Sequence, residues 1–315
     1  MLRDLLMHWG VRYAHERRDI ALAGSPERCL ARHVVQDADG RLYVLEGVPR
    51  GRSRVRARIA EALACLSDQG LARINPYLRG SGGAFLLRDG DRLWQLAPYV
   101  AGCPLDRPEY VHEGWRGEAL ARFLLDLRHH AAHVPAFSNT DLFDLPRFVR
   151  HLKVRLGSNE PALLERLGPS LQVLEERLLP SVDALPTAFC HGDVHAMNVI
   201  WAQDDIAAVI DWEFAGFKTE AYDLAVLLGC VGIEDPSGLQ GSLVQRLLGA
   251  LKGNAYVSGL SWALLPELVL ANRLIWLSEW LRIRDAEMIE LELCYIELLL
   301  ANLCALRCSW GIHCA

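Results

Sequence analysis

The segment His191-Gly192-Asp193-Val194-His195-Ala196-Met197-Asn198 sets a carboxylate five residues before a carboxamide, in the pattern H-x-D-x-x-x-x-N. After the apolar run 207–210 comes a second carboxylate, in Ile210-Asp211-Trp212-Glu213. These residue types suit one chemistry. A hydroxyl that attacks phosphorus must lose its proton, and Asp193 would take it. Asn198 and Asp211 supply hard oxygen atoms, which Mg2+ prefers, and so could hold that ion on a polyphosphate. The spacing therefore points to phosphoryl transfer, with Asp193 as proton acceptor and Asn198 and Asp211 as metal ligands.

Neighbouring polar residues have a plainer reading beside the chemical one. His191 shapes the loop by packing and hydrogen bonding rather than carrying a proton. His195 either positions Asp211 or supports the loop. Glu213 could serve a second metal or the substrate, or belong to a polar cluster at a helix start. Asp223 would tie the loop to the helix that follows it.

Three elements in order, His-Gly-Asp-x-His-x-x-Asn, Ile-Asp-Trp-Glu and Tyr222-Asp223-Leu224-Ala225, resemble the signature of the aminoglycoside phosphotransferase and choline kinase superfamily. That resemblance implies a protein-kinase-like fold, ATP and Mg2+ as cofactors, and transfer of the γ-phosphate to a small-molecule hydroxyl. An aminoglycoside, amino alcohol, homoserine or sugar-like compound would be the acceptor. It also implies a hinge at Gln95-Leu96-Ala97-Pro98-Tyr99-Val100-Ala101-Gly102, where the Pro98 carbonyl and the Val100 N–H would pair with adenine. Proline keeps its carbonyl, so that pairing passes a donor check. Gly24-Ser25-Pro26 lies where the family covers the phosphates, which makes Ser25 a nucleotide-binding candidate.

One position departs from the pattern. The third strand of such kinases carries a lysine that contacts the α- and β-phosphates. Here the strand reads Leu42-Tyr43-Val44-Leu45-Glu46, and the expected position is Glu46. The chain has three lysines, Lys153, Lys218 and Lys252, all outside its first hundred residues. A bare carboxylate near phosphate would cost about 4 kcal/mol at intermediate dielectric. Three arrangements are open. An arginine, Arg28 or Arg32, reaches the phosphates instead. Alternatively, Glu46 pairs with Arg56 or Arg58 of the next helix. Or the chain is a nucleotide-binding pseudokinase with a regulatory or scaffold role. Glu61 matches the helix glutamate of the family and would need another partner.

The elements that must position these residues follow from periodicity. Short alternating runs at 19–23, 29–36, 41–48 and 93–100 predict strands, and Val55, Ile59, Leu63 and Leu66 mark one face of a helix ending near Gly70. Helical spacing then dominates at 115–132, 145–156, 163–179, 239–251, 264–284 and 286–306. Short strands at 188–190, 199–201 and 207–210 interrupt it. The expectation is an α+β fold of two lobes. Residues 1–102 would form a small β-rich nucleotide-binding lobe, and 103–315 a mainly helical lobe carrying the polar loop and substrate site.

Composition excludes other classes. With 315 residues, 51% of them apolar, the chain can bury a sizeable core, and a net charge of −6 gives it no general attraction to nucleic acid. Neither a signal peptide nor an apolar run of membrane-spanning length is evident, which predicts a cytoplasmic protein without membrane contact. Nine cysteines without a Cys-x-x-Cys pair read as reduced thiols. Cys304, Cys308, His313 and Cys314 are a weak metal pattern beside that reading. Trp262, Trp276, Trp280, Tyr295 and Trp310 read as core, with a quaternary-ammonium cage as the alternative. Glu234, Asp235, Glu267 and Glu279 could meet a cationic substrate or lie scattered on the surface.

Overall fold

The computed structural model describes residues 2–22, 29–131, 134 and 143–312. The chain divides into two compact units. The first comprises Met1–Leu105, Asp126–Ser138 and Ala196–Ala215, and the second Asp106–Leu125, Asn139–His195 and Gly216–Ala315.

In the first unit, helix α1 (Leu2–Met7) precedes strands β1 (Tyr13–Glu16), β2 (Ala31–Asp37) and β3 (Leu42–Pro49). Helix α2 (Ser53–Asp68) follows, then β4 (Leu87–Asp89) and β5 (Arg92–Pro98). The five strands form one antiparallel sheet in the order β1-β2-β3-β5-β4. Leu5, Leu6, Val35, Leu45, Trp94 and Leu96 pack a core on one of its faces. Because side chains alternate along a strand, Val44 and Glu46 lie on the face opposite Leu45. The pairing of Asp37 with Arg41 closes a tight turn in which Gly40 takes φ 85°, as the sequence Asp-Ala-Asp-Gly requires. The run 19–23 was expected to be a strand. Residues 19–22 are not, because Arg17 turns the chain back by pairing with Asp19 at 2.6 Å. The sheet edge is β1 instead, and Ala23 lies outside the described residues.

The hairpin of β7 (Val199–Trp201) and β8 (Ile206–Val209) also belongs to this unit. The first unit thus runs to Leu105, and residues 196–215 group with it. Backbone bridges account for this: Ile74 pairs with Val209, and Cys103 with Trp201. The approach is close. A Cβ on Gly102 would come 2.5 Å from Ile200 Cγ2 and 3.1 Å from the Trp201 carbonyl oxygen.

The second unit takes part of α3 (Gly114–His130), then α4 (Leu145–Asn159), α5 (Pro161–Val173) and β6 (Thr187–Cys190). After β9 (Gly216–Thr219), which pairs with β6, come α6 (Tyr222–Glu234), α7 (Ser242–Gly253), α8 (Gly259–Ala263), α9 (Leu265–Ile283) and α10 (Ala286–Ser309). Helix α6 is buried nearly all round, from Asp223 through Gly229. Helices α9 and α10 pack together, and Arg273 pairs with Glu292 and Arg307 with Glu267 inside that contact. Gly117 lets α3 approach α7, since a Cβ there would meet the Leu243 carbonyl at 2.0 Å. No helix among the described residues is long and apolar enough to cross a membrane.

Replacing Gly102 by Ala tests the hairpin contact. The added methyl must push Ile200 and the Trp201 backbone aside, so urea unfolding should show a loss of about 1–3 kcal/mol. An unchanged midpoint would mean that the hairpin does not bear on this strand end.

Candidate functional site

Two polar constellations stand out, one in each unit. In the second unit, β6 delivers the chain to His191, and the first turn of α6 presents Asp223 to it. The Asp223 carboxylate accepts the His191 N–H at 2.8 Å and the Gly192 N–H at 2.7 Å. Gly192 adopts φ 86°, open to glycine without strain. The Asp193 N–H then donates to His191 Nδ1 at 3.2 Å, which makes Nδ1 an acceptor and puts the ring proton on Nε2. The loop is thus pinned by three backbone N–H groups, and Asp193 is 5% exposed. Its Oδ1 lies 3.8 Å from His195 Nε2. Burial, with the charges of Arg273 and Arg107, pushes the His195 imidazole down to about 4. His195 is therefore neutral near pH 7, a hydrogen-bonding group rather than a cation.

In the first unit, the hairpin fixes the other two chemical residues. Val199 pairs with Val209, and the Ile210 N–H donates to the Asn198 carbonyl at 2.9 Å. Residues 198 and 211 therefore sit at the same end of the hairpin, one just before β7 and the other just after Ile210. Asn198 is buried. Asp211 has φ 62° and ψ 58°, a left-handed conformation that Asp tolerates better than most residues but at some cost. Trp212 anchors the turn by donating from Nε1 to the Val209 carbonyl at 2.9 Å. Both side chains bring hard oxygen donors, so the pair could hold a Mg2+ ion.

Asp211 lines a cavity of about 470 Å³ built entirely from first-unit residues. Its apolar lining includes Val44, Ala97, Ile200 and Val209, and its charged lining Arg32, Glu46, Arg56 and Glu213. Tyr99, Val100 and Gly102 of the segment after β5 also line it. Pro98 is not among the lining residues, and its carbonyl accepts from Asn75 Nδ2 at 2.9 Å. Ser25 and Arg28 lie outside the described residues.

The charged lining shows what Glu46 meets. Glu46 sits opposite Arg32 on β2 and Gln95 on β5 in the sheet register. Its carboxylate takes the Arg32 guanidinium at 3.2 Å and the Gln95 amide at 2.7 Å. Its partners therefore come from the neighbouring strands and not from α2. The helix arginines are used elsewhere. Arg52 Nη1 lies 2.6 Å from Glu213 Oε2, and Arg56 Nη2 binds Glu213 Oε1. Glu213 is thus clasped by two guanidiniums. Glu61 pairs with Arg79 at 2.9 Å. Sequence reasoning did not find the clasp, although the spacing of Arg52 and Arg56 sets them on one helix face.

Other sequence candidates disperse. Glu234 pairs with Arg107, Asp235 with His112, Glu267 with Arg307 and Arg177, and Glu279 with Arg282. The aromatics do likewise: Trp310 donates to the Leu239 carbonyl, Trp280 to Glu292, and Trp276 stacks on Trp280. Cys304 and Cys308 are exposed thiols, and His313 and Cys314 lie outside the described residues. Among the described residues no group of three or more His, Cys, Asp or Glu side chains could hold a metal ion.

The chain is similar to known proteins. The sequence model described as the phosphotransferase enzyme family matches residues 31–258. A homoserine kinase of Rhodospirillum rubrum is 32% identical over 151 residues, 47% of this chain and 45% of that protein. One of Rhodopseudomonas palustris is 30% identical over 164 residues, 51% of this chain and 48% of that protein. The matches thus span about half the length of these curated relatives. Among solved structures, a microcompartment-associated aminopropanol kinase superposes with a TM-score of 0.68 at 18% identity, covering 99% of this chain and 98% of that one. An amicoumacin kinase in complex with AMP-PNP, Ca2+ and Ami gives 0.66 at 16% identity, covering 94% and 92%. An aminoglycoside phosphotransferase from Alicyclobacillus acidocaldarius gives 0.62 at 17% identity, covering 94% of each. At these identities the likeness is one of fold, the mixed α+β fold of these kinases.

Two predictions follow from the loop in the second unit. Replacing Asp223 by Asn turns one acceptor into a donor facing a backbone N–H. Stability should fall by about 1.5–3 kcal/mol in urea unfolding. His195 makes stability depend on pH. Unfolded, it takes up a proton near its ordinary value of 6.5, whereas folded it holds off to about 4. Its contribution is whole above pH 6.5 and is lost as pH falls through that window, by up to about 3 kcal/mol. Unfolding measured from pH 7 to 4.5 should therefore show a shallower decline in a His195→Asn variant than in the parent. Equal slopes would contradict a buried neutral imidazole.

Proposed function

The chain belongs to the phosphotransferase enzyme family, and from that premise we propose that it transfers the γ-phosphate of ATP to the hydroxyl of a small molecule. The observation that carries this reading is the hairpin register. It sets Asn198 and Asp211 at one end of β7 and β8, with Asp211 on the wall of a cavity large enough for a nucleotide. In the proposed reaction Asp193, buried and held by a loop with pinned backbone, orients the acceptor hydroxyl and takes its proton. Asn198 and Asp211 hold Mg2+, which when bound neutralises charge on the phosphates. The Val100 N–H, the Pro98 carbonyl and Ser25 are the proposed nucleotide contacts. The Asn75 bond to the Pro98 carbonyl leaves that oxygen a second lone pair. Positioning and charge stabilisation supply most of the rate, as phosphoryl transfer demands.

The names of the relatives, homoserine kinase and aminopropanol kinase, support an acceptor bearing both a hydroxyl and an amine. Aminoglycoside-like and sugar-like hydroxyls remain within the class. The described cysteines are free thiols, which agrees with a reducing, cytoplasmic setting. Glu46 favours a second reading, a pseudokinase that binds nucleotide and acts as a scaffold or regulator.

Calorimetric titration with ATP, with and without Mg2+, and a screen of amino alcohols, homoserine, sugars and aminoglycosides for ADP release separate the two. The transferase reading expects Mg2+-dependent ATP binding and ADP release with at least one acceptor. It also expects Asp193→Asn to cut kcat by about 10²–10⁴ while ATP still binds. Binding without turnover on any acceptor would favour the scaffold. Turnover that survives Asp193→Asn would remove Asp193 from the mechanism.

A further inference from the structure

We infer that Arg56, on the helix rather than on the strand, is the cation that receives the nucleotide's phosphates in this protein. The inference rests on the nucleotide reading of the cavity and assigns one residue within it. Four arginines alternate at positions 52, 54, 56 and 58, the first capping α2 and the other three in its first turns. Of these, Arg56 alone is buried, with 7% of its side chain exposed, and it lines the same cavity as Asp211. A guanidinium carries five N–H donors in a fixed fork. Arg56 gives one nitrogen to Glu213, and its buried Nε has no acceptor among the described residues. A buried cationic donor without an acceptor is costly, and because the Arg56 side chain lines the cavity, an anionic ligand that drew the fork towards it would supply one.

The surrounding charges support the same assignment. Arg32, the other guanidinium on the cavity wall, faces Glu46 within the sheet register, so strand β3 and its partner offer a neutral pair. Glu213 also holds Arg52 at 2.6 Å, a partner it would retain if Arg56 turned part of its fork to a ligand. The clasp can therefore share Arg56 without stranding a bare carboxylate. Burial works against the Arg56 charge, but the carboxylates of Glu213 and Glu46 more than offset it, so the guanidinium stays protonated. Asp211 on the same wall has the oxygen chemistry for a metal ion, and Arg56 has the planar fork that matches two phosphate oxygens.

The test compares binding of ATP, ADP and adenosine, each with Mg2+, to the parent chain and to Arg56→Gln, Arg56→Lys and Glu213→Gln. Adenosine fills the same cavity without phosphates, so the ratio of ATP to adenosine affinity reads the phosphate contact within each variant and is insensitive to a general loss of fold. Arg56→Gln should weaken ATP and ADP by about 10- to 100-fold, the worth of a charge-assisted hydrogen bond, and leave adenosine unchanged. Arg56→Lys should recover part of that loss, and Glu213→Gln should bind ATP as tightly as the parent or more tightly. An unaltered ATP-to-adenosine ratio in Arg56→Gln overturns the assignment. So does an equal loss of ATP and adenosine in Arg56→Gln and Glu213→Gln, which would make the pair a structural strut. A parent chain that binds adenosine but neither ATP nor ADP points the other way, against the kinase reading itself.

Discussion

A charge taken out of water has to be answered within hydrogen-bond reach, and that constraint organises the polar residues of this chain. Asp223 is 1% exposed and takes two backbone N–H groups. Those bonds shape the His191 loop, which in turn fixes Asp193. Glu267 and Glu292 are fully buried between α9 and α10 and are met by Arg307 and Arg273. Glu213 is met by Arg52 and Arg56, and Glu46 by Arg32 and Gln95. Removing Arg273 from its pair with Glu292 would leave an uncompensated charge, which is worse than never having buried the pair. The pairs thus specify which residues may lie together more than they add to stability.

The same constraint turns sequence neighbours into structural ones. The β7–β8 hairpin is short, and two backbone bridges hold it in its unit: Ile74 with Val209, and Cys103 with Trp201, where the Cys103 N–H donates to the Trp201 carbonyl at 2.7 Å. Apolar packing of Trp201 and Trp212 closes it, with each indole N–H spent on a nearby carbonyl. That rigidity permits Asp211 to occupy a left-handed conformation at the hairpin's end. An unsupported loop would relax it.

How much of this could be read from the sequence depends on whether the signal was local. The motif from His191 to Asn198 and the carboxylate at Asp211 stood out because their spacing is chemical. Helices α4 and α7 stood out because one face is more apolar than the other, and α9 and α10 because their helical spacing runs on for many residues. Helix α6 was not predicted as a helix over its length, because it is buried on all sides and has no polar face to set a period. Strand β9 is four residues and pairs with β6 across some thirty residues, beyond any local pattern. The run 163–179 read as one helix, but it passes from α5 into a π turn at Leu174–Leu178 and then a tighter one at Leu179–Ala184. The partners of Glu46 were legible only in part. Arg32 was a candidate for the phosphates, yet its meeting with Glu46 is a matter of register, which one residue of slip would undo.

Register also explains why a carboxylate can stand where the resemblance implies a lysine. A strand presents side chains at fixed sites, so a charge reversal on β3 must be matched on β2 or β5, and Arg32 and Gln95 supply that match directly across the sheet. The acidic charge is thereby balanced inside the sheet and does not project a bare field into the cavity. A helix presents its side chains differently. Arg52 and Arg56 share one face a turn apart, so two guanidiniums can hold one carboxylate and one of them can be lent. On the inference drawn above, the cation has moved from an element that fixes it to one that can share it, and the reversal at Glu46 is a redistribution of charge around an intact pair of oxygen donors, Asn198 and Asp211. Decay of the site would have no reason to preserve both the donors and the balance.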